Sequence, residues 1–240
     1  MAIKPIVCDN KSFDIAYEIL NPSKKEIIVF LHGWGSNKEI MKQGFQKELQ
    51  DFKHIYIDMP GFGKSSNDYT LNTIDYANIM KVFLNAINID TNSSIIAGHS
   101  FGGKVSTLLN PKLLILLSSA GIIEDKSAKT LLTIRMAKIF NKWGLGKVSK
   151  LLRSNDVNMM SENMYETFKN VVDEDFSSTF EKYKGNTILF WGQKDTATTL
   201  KSGEIMHSLI NNSKFYSYDD DHYFFLRNAK DISSKIIQGY

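Results

Sequence analysis

Cysteine is almost absent: Cys8 is the one thiol in 240 residues, which excludes an intrachain disulfide and a thiolate-rich metal site. No apolar run approaches the ~18 residues that a membrane-spanning helix needs. The opening Met1-Ala2-Ile3-Lys4-Pro5 also lacks the apolar stretch of a secretory signal. The expectation is a soluble, cytoplasmic chain with no membrane partner. Arginine is scarce, with only Arg135, Arg153 and Arg227 among 29 basic residues. A formal charge of +3 is too small to argue for nucleic acid. Repeats and low-complexity tracts are missing too. What remains is an ordinary globular composition, 42% apolar and 23% charged, enough for one large domain or one core carrying an insertion.

Residues 3–7 and 12–20, split by Asp9-Asn10-Lys11, predict an N-terminal hairpin. Continuous apolar runs at 27–31, ending in His32-Gly33, and at 54–58, ending in Met59-Pro60-Gly61, predict buried parallel strands. A helix is expected over 39–52 between them, and another over 72–89. Further strands at 94–97, Leu113–Leu117, 187–191 and 214–218 alternate with helices after Ser100, at 199–210 and at 229–237. Such alternation implies an α/β fold with a mostly parallel central sheet flanked by helices. Residues 124–181 break the rhythm, with no clear strand, several helical stretches and four methionines: Met136, Met159, Met160 and Met164. They are expected to form a helical cap over the C-terminal edge of the sheet, where ligands bind in open α/β folds. The core is then two pieces, 1–123 and 182–240.

One motif carries chemistry. Gly98-His99-Ser100-Phe101-Gly102 stands between an apolar strand and a short helix, the setting of a nucleophile elbow. The turn there is so tight that only glycines clear the backbone around the serine. An ordinary turn serine would not account for both flanking elements. A serine hydroxyl needs a base, and the base an orienting acid. Asp195 follows one predicted strand and His222 the next, so loops from separate strands can bring them to Ser100. His207 falls inside a predicted helix, and His99 is expected to pack beneath the elbow. Asp219, Asp220 and Asp221 lack the spacing of a calcium loop, so no metal is expected. Gly61-Phe62-Gly63-Lys64-Ser65 fails the phosphate-loop pattern, because Asp58 stands where its first glycine is required.

These motifs together resemble the α/β-hydrolase superfamily over essentially the whole chain. His32-Gly33-Trp34-Gly35 is similar to that family's oxyanion loop, and Asp58-Met59-Pro60-Gly61-Phe62-Gly63-Lys64-Ser65 to its D-x-P-G-x-G-x-S turn. The resemblance implies the α/β-hydrolase fold, with Ser100 as nucleophile, His222 as general base and acid, and Asp195 orienting the histidine. It also implies an oxyanion hole from the backbone N–H groups of Trp34 and Phe101, and no cofactor. His32 is expected to shape its own loop. Two loops depart from the family pattern: Asp221 precedes the histidine with Leu226-Arg227 after it, and the acid loop Asp195-Thr196-Ala197-Thr198 lacks a proline. The activity implied is hydrolysis of a small-molecule carboxylic ester through an acyl-enzyme. Hydrolysis of a carbon–carbon bond in a vinylogous diketone, and a non-catalytic binding role, remain alternatives.

The expected cap is uneven in charge. Residues 126–153 carry eight basic side chains and no acid, whereas 154–181 carry seven acids against Lys169. On one helix, Arg135, Lys138 and Lys142 share a face, with Met136 and Phe140 on another. The apolar face, with the Trp34 ring, is the candidate pocket lining. The basic face is either plain solvated surface or a dock for an acidic partner. His-Gly-Trp-Gly and Pro-Gly-Phe-Gly are similar to the carboxylesterases that demethylate pimeloyl-acyl-carrier-protein methyl ester in biotin synthesis. In those enzymes basic cap residues meet the acidic acyl carrier protein.

Overall fold

A computed structural model describes residues 1–123 and 160–239. Its centre is an eight-stranded sheet. The strands are β1 (Ala2–Cys8), β2 (Lys11–Leu20), β3 (Glu26–Leu31), β4 (Phe52–Ile57), β5 (Ile95–His99), β6 (Leu113–Leu117), β7 (Asn186–Gly192) and β8 (Ser213–Tyr218). They lie in the order β1-β2-β4-β3-β5-β6-β7-β8. The β1–β2 and β2–β4 pairs are antiparallel and every other pair is parallel.

Both faces of this sheet are covered, which is why β5 and β6 are buried at every position and apolar at all but His99, the last residue of β5. Alternate strand residues feed opposite layers. Val29, Leu31 and Ile96 pack toward α2 (Thr73–Ala86) and α3 (Phe101–Leu108). Ile28, Phe30, Ala97 and Phe190 pack against Met41 and Phe45 of α1 (Lys38–Phe45), and against Ala229, Ile232 and Ile236 of the C-terminal helix Phe225–Gly239. Chain order reverses about β3, which has β4 on one side and β5 on the other. Loops leaving β3 and β5 therefore part at a crevice, the usual ligand position in such sheets.

Element edges depart from the expected ones for local reasons. The N-terminal hairpin closes on two residues, Asp9 and Asn10, both at positive φ (49° and 61°), so Lys11 joins β2. The helix expected over 39–52 ends at Phe45. Leu49, at φ 50°, turns the chain so that Phe52 can pair with Glu26 at the start of β4. The helix expected over 72–89 spans Thr73–Ala86, opened by an Asn72–Asp75 capping box. The last helix starts at Phe225, earlier than expected, because the Phe224–Phe225 pair is wholly buried.

Of the segment expected to form the cap, 124–159 lies outside the described residues. The remainder holds α4 (Glu162–Val172) and α5 (Ser177–Lys182). Polar contacts dock α4 on the core: Leu71 N donates to Thr167 Oγ1 (2.9 Å), and Asn163 Nδ2 donates to the Asn67 carbonyl (2.9 Å). The buried Lys104 ammonium on α3 reaches the Val171 carbonyl (2.6 Å) and Glu174 (3.1 Å). Burial pulls that ammonium below the usual lysine range and Glu174 opposes the shift. Among the described residues, no helix is long and apolar enough to cross a membrane.

Candidate active site

Ser100 occupies the turn between β5 and α3. From Ser94 to Thr107 it is the one residue with appreciable exposure. Its backbone is left-handed, φ 51° and ψ −117°. A side chain on Gly98 would meet the Gly102 carbonyl oxygen at 2.3 Å, and one on Gly102 would meet the carbonyl oxygens of Leu31 and His32 at 2.6 Å. Both glycines of the motif are thus required by close backbone approach. Hydrogen bonds Ser100 N to Leu117 O (3.1 Å) and Ala120 N to Ser100 O (3.1 Å) tie the elbow to the end of β6.

Asp195 and His222, on loops after separate strands, are in contact. The His222 Nδ1–H donates to Asp195 Oδ2 at 2.6 Å, with the carboxylate side chain fully buried and the imidazole 16% exposed. A carboxylate only accepts, so Nδ1 carries the proton and Nε2 is left as the basic nitrogen. The other carboxylate oxygen accepts from Ala197 N (2.8 Å) and Thr198 N (2.9 Å), and Thr198 Oγ1 lies 3.0 Å from Oδ2. Burial pushes this carboxyl up, but the His222 hydrogen bond, the Thr198 N–H, the His222 charge and the Ser118 hydroxyl outweigh it and hold it at about 2. The turn 195–198, which has no proline, thus orients the carboxylate through its own N–H groups and the Thr198 hydroxyl. Thr198 is a member of the site that the sequence reading missed; its signal was a hydroxyl three residues after the acid.

The three acids before His222 are explained as well. Arg227 clamps Asp220 through Nε (2.6 Å) and reaches Asp221 (3.1 Å), while Lys194 pairs with Asp219 (2.8 Å). This run is a salt-bridged loop. Among the described residues no cluster of His, Cys, Asp and Glu is arranged to hold a metal ion.

Ser100 reaches the histidine through its neighbour. Among the described contacts its hydroxyl makes no hydrogen bond to His222; His99 does, donating from Nε2 to the His222 carbonyl at 3.1 Å, with the two rings 4.5 Å apart. A long serine–histidine separation is common before substrate binds. Burial, then the His222 charge, lower His99 to about 3, so it stays neutral.

The loop after β3 passes directly over the elbow: a side chain on Gly33 would sit 3.1 Å from Ser100 Cβ. His32 braces this loop, donating from Nδ1 to Gly33 O (2.7 Å) and accepting at Nε2 from Met59 N (3.0 Å). Burial holds His32 at about 4, which keeps that acceptor unprotonated. The Asp58 turn is fixed by Lys38, whose backbone N (2.7 Å) and Nζ (2.9 Å) both donate to the carboxylate.

Beside these groups lies a cavity of about 640 Å³, lined by Trp34, Gly35, Gly61, Phe62, Met160, Ser161, Met164 and Tyr223. The Trp34 ring meets Phe62, Phe101 and Phe168 at centroid distances of 4.9, 5.6 and 5.4 Å. No charged side chain lines it among the described residues. The candidate pocket residues Met136 and Phe140 and the candidate docking residues Arg135, Lys138 and Lys142 lie outside the described residues.

Comparison with known proteins follows the same lines. A pimeloyl-[acyl-carrier protein] methyl ester esterase of Pseudoalteromonas atlantica is 25% identical over 155 residues, 65% of this chain and 50% of that protein. The chain thus spans about half the length of that relative. YugF, an uncharacterized hydrolase of Bacillus subtilis, is 23% identical over 85% of both chains. A thermophilic esterase from Thermogutta terrifontis superposes with a TM-score of 0.74 over 99% of this chain and 97% of that one, at 17% identity. Residues 28–191, from β3 through the elbow to the strand that delivers Asp195, match the alpha/beta hydrolase family, and with the sheet order just described they make this chain a member of it.

Proposed function

We propose that this protein is a serine-dependent carboxylic ester hydrolase working through an acyl-enzyme. The observation that carries the reading is an accessible serine at a left-handed elbow, beside a histidine whose Nδ1–H is held by a buried carboxylate. Ser100 Oγ attacks the ester carbonyl while His222 Nε2 takes its proton, then passes it to the leaving alcohol. Asp195 holds the ring and stabilises the imidazolium. Backbone N–H groups of Trp34 and Phe101 receive the oxyanion; Phe101 opens α3, where N–H groups lack intrahelical acceptors. One such donor contributes roughly 3 kcal/mol. Water then attacks the acyl-enzyme with the same base, releasing the acid and restoring Ser100. The mechanism calls for no metal or organic cofactor.

A cavity lined by Trp34, Phe62, Met160 and Met164, and by no charged side chain among the described residues, favours an uncharged acyl chain or ring over a charged one. In this reading residues 124–181 form the cap over that cavity. Arg135, Lys138 and Lys142 belong to a run with eight bases and no acid, suited to an acidic acyl carrier protein. The Pseudoalteromonas relative is a pimeloyl-[acyl-carrier protein] methyl ester esterase, which supports a carrier-linked methyl ester as substrate.

The test compares methyl pimeloyl-acyl-carrier protein with dimethyl pimelate at low and high salt. The expected result is faster turnover of the carrier-linked ester, with the preference eroded by salt as screening weakens the docking field. Equal rates would remove the carrier protein and leave a small-molecule esterase. Turnover of neither would overturn the substrate assignment and direct the search to ring-cleavage diketones.

A further inference from the structure

We propose that His99, the residue before the nucleophile, is a positioning residue: its Nε2–H holds the His222 backbone carbonyl and thereby sets the base against Ser100. The inference rests on the ester-hydrolase reading of the same site. His99 ends β5, is 1% exposed, and pairs in register with Leu117. Its bond to His222 O (3.1 Å) is, among the described residues, the one hydrogen bond that crosses from the elbow to the histidine loop.

Every other described tie of that loop runs elsewhere. Gln193 N donates to Tyr218 O and Lys194 N to Asp220 O, both at 2.8 Å, which joins the histidine loop to the acid loop. Arg227 joins it to the last helix. These contacts fix His222 relative to Asp195. The span from His222 to Ser100 is left to His99, whose ring also packs 4.5 Å from the His222 ring and 5.0 Å from Phe225.

A second observation points the same way. His99 Nδ1 is buried with no hydrogen-bond partner, and a side chain on Gly33 would sit 3.1 Å from it. An orphaned buried acceptor is destabilising. A residue serving packing alone would be apolar here, whereas a residue serving the Nε2–H donor must carry the second nitrogen with it.

The test uses the full chain with His99→Leu, which matches the bulk and lacks the donor, and His99→Gln, which restores an N–H near the Nε2 position. Steady-state ester hydrolysis, thermal unfolding and the rate of Ser100 labelling by a fluorophosphonate are measured. His99→Leu should lose about ten- to a hundredfold in kcat and in labelling rate, with KM within about twofold and the melting temperature unchanged or higher. His99→Gln should recover most of that loss. Should His99→Leu fail to fold, His99→Asn takes its place, since its shorter amide falls short of the carbonyl. Parental kcat in the Leu or Asn variant, or an equal loss in the Gln variant, overturns the positioning role. Absence of labelling in the unsubstituted protein overturns the ester-hydrolase reading itself, and this inference with it.

Discussion

The two sides of the crevice are built in different ways. On one side Asp195, Thr198, His222 and His99 are joined by directional hydrogen bonds of 2.6 to 3.1 Å, the first three on loops past strand ends and His99 at the end of β5. On the other, Trp34, Phe62, Met160 and Met164 meet through rings and thioethers around the cavity. Hydrogen bonds fix direction, so the polar side suits proton transfer along one path. Dispersion contacts with flexible methionines fix only approximate shape, so the apolar side suits graded selection among acyl groups. Changes on the polar side should therefore have large effects that no substrate escapes, and changes on the apolar side small effects that depend on the substrate.

The sharpest way to break that contrast is Asp195→Asn, which keeps the shape but removes the charge that stabilises the imidazolium. Turnover should fall by about 10⁴-fold for every ester tried. The same carboxylate gives the parent a pH signature. Its folded value is depressed to about 2 from 3.8, so its contribution to stability is complete above the unfolded value. It is lost as pH falls from about 4 to about 2, amounting to about 2 kcal/mol. Acid titration of unfolding should show this loss in the parent and a flatter profile in the asparagine variant.

A smaller effect is expected from Thr198→Val, which removes a hydroxyl 3.0 Å from Asp195 Oδ2 and 3.1 Å from Ser118 O. The loss should be about tenfold in kcat with about 1 kcal/mol of stability. It should be alike for short and long acyl groups. The smallest effect should come from Met164→Ala. Its thioether lies against Gly61, where an added Cβ would be 2.4 Å from the sulfur, and its removal widens the cavity. Rates on a short acetyl ester should change less than about threefold, while a bulkier acyl group gains relative to it. A uniform loss across the ester series would erase the proposed division of labour.

The same contrast decides how much could be read in the sequence. Ser100 and Asp195 were legible because each stands just beyond a buried, largely apolar strand, and His222 because it follows the next strand, β8, in the order the motif requires. The sheet was legible from its central strands, since β6 is apolar throughout and β5 up to its closing His99. Thr198, the clamp of Arg227 on Asp220 and Asp221, and the bond from His99 to His222 were not. Thr198 shares a turn with its acid, whereas the Arg227 and His99 bonds join separate elements, and nothing in local periodicity marks which hydroxyl, guanidinium or ring will face which partner. The end of α1 was missed because a left-handed Leu49 is a tertiary demand, imposed by Phe52 pairing with Glu26, against that residue's own preference.

The account turns on an acyl-enzyme at Ser100. Reaction of the full chain with a fluorophosphonate, followed by mass mapping of the modified peptide, tests it most directly. The expected result is one equivalent of adduct on Ser100, formed in step with loss of esterase activity and absent from Ser100→Ala, a variant that should keep the fold. No adduct, or an adduct that persists in Ser100→Ala, would contradict it.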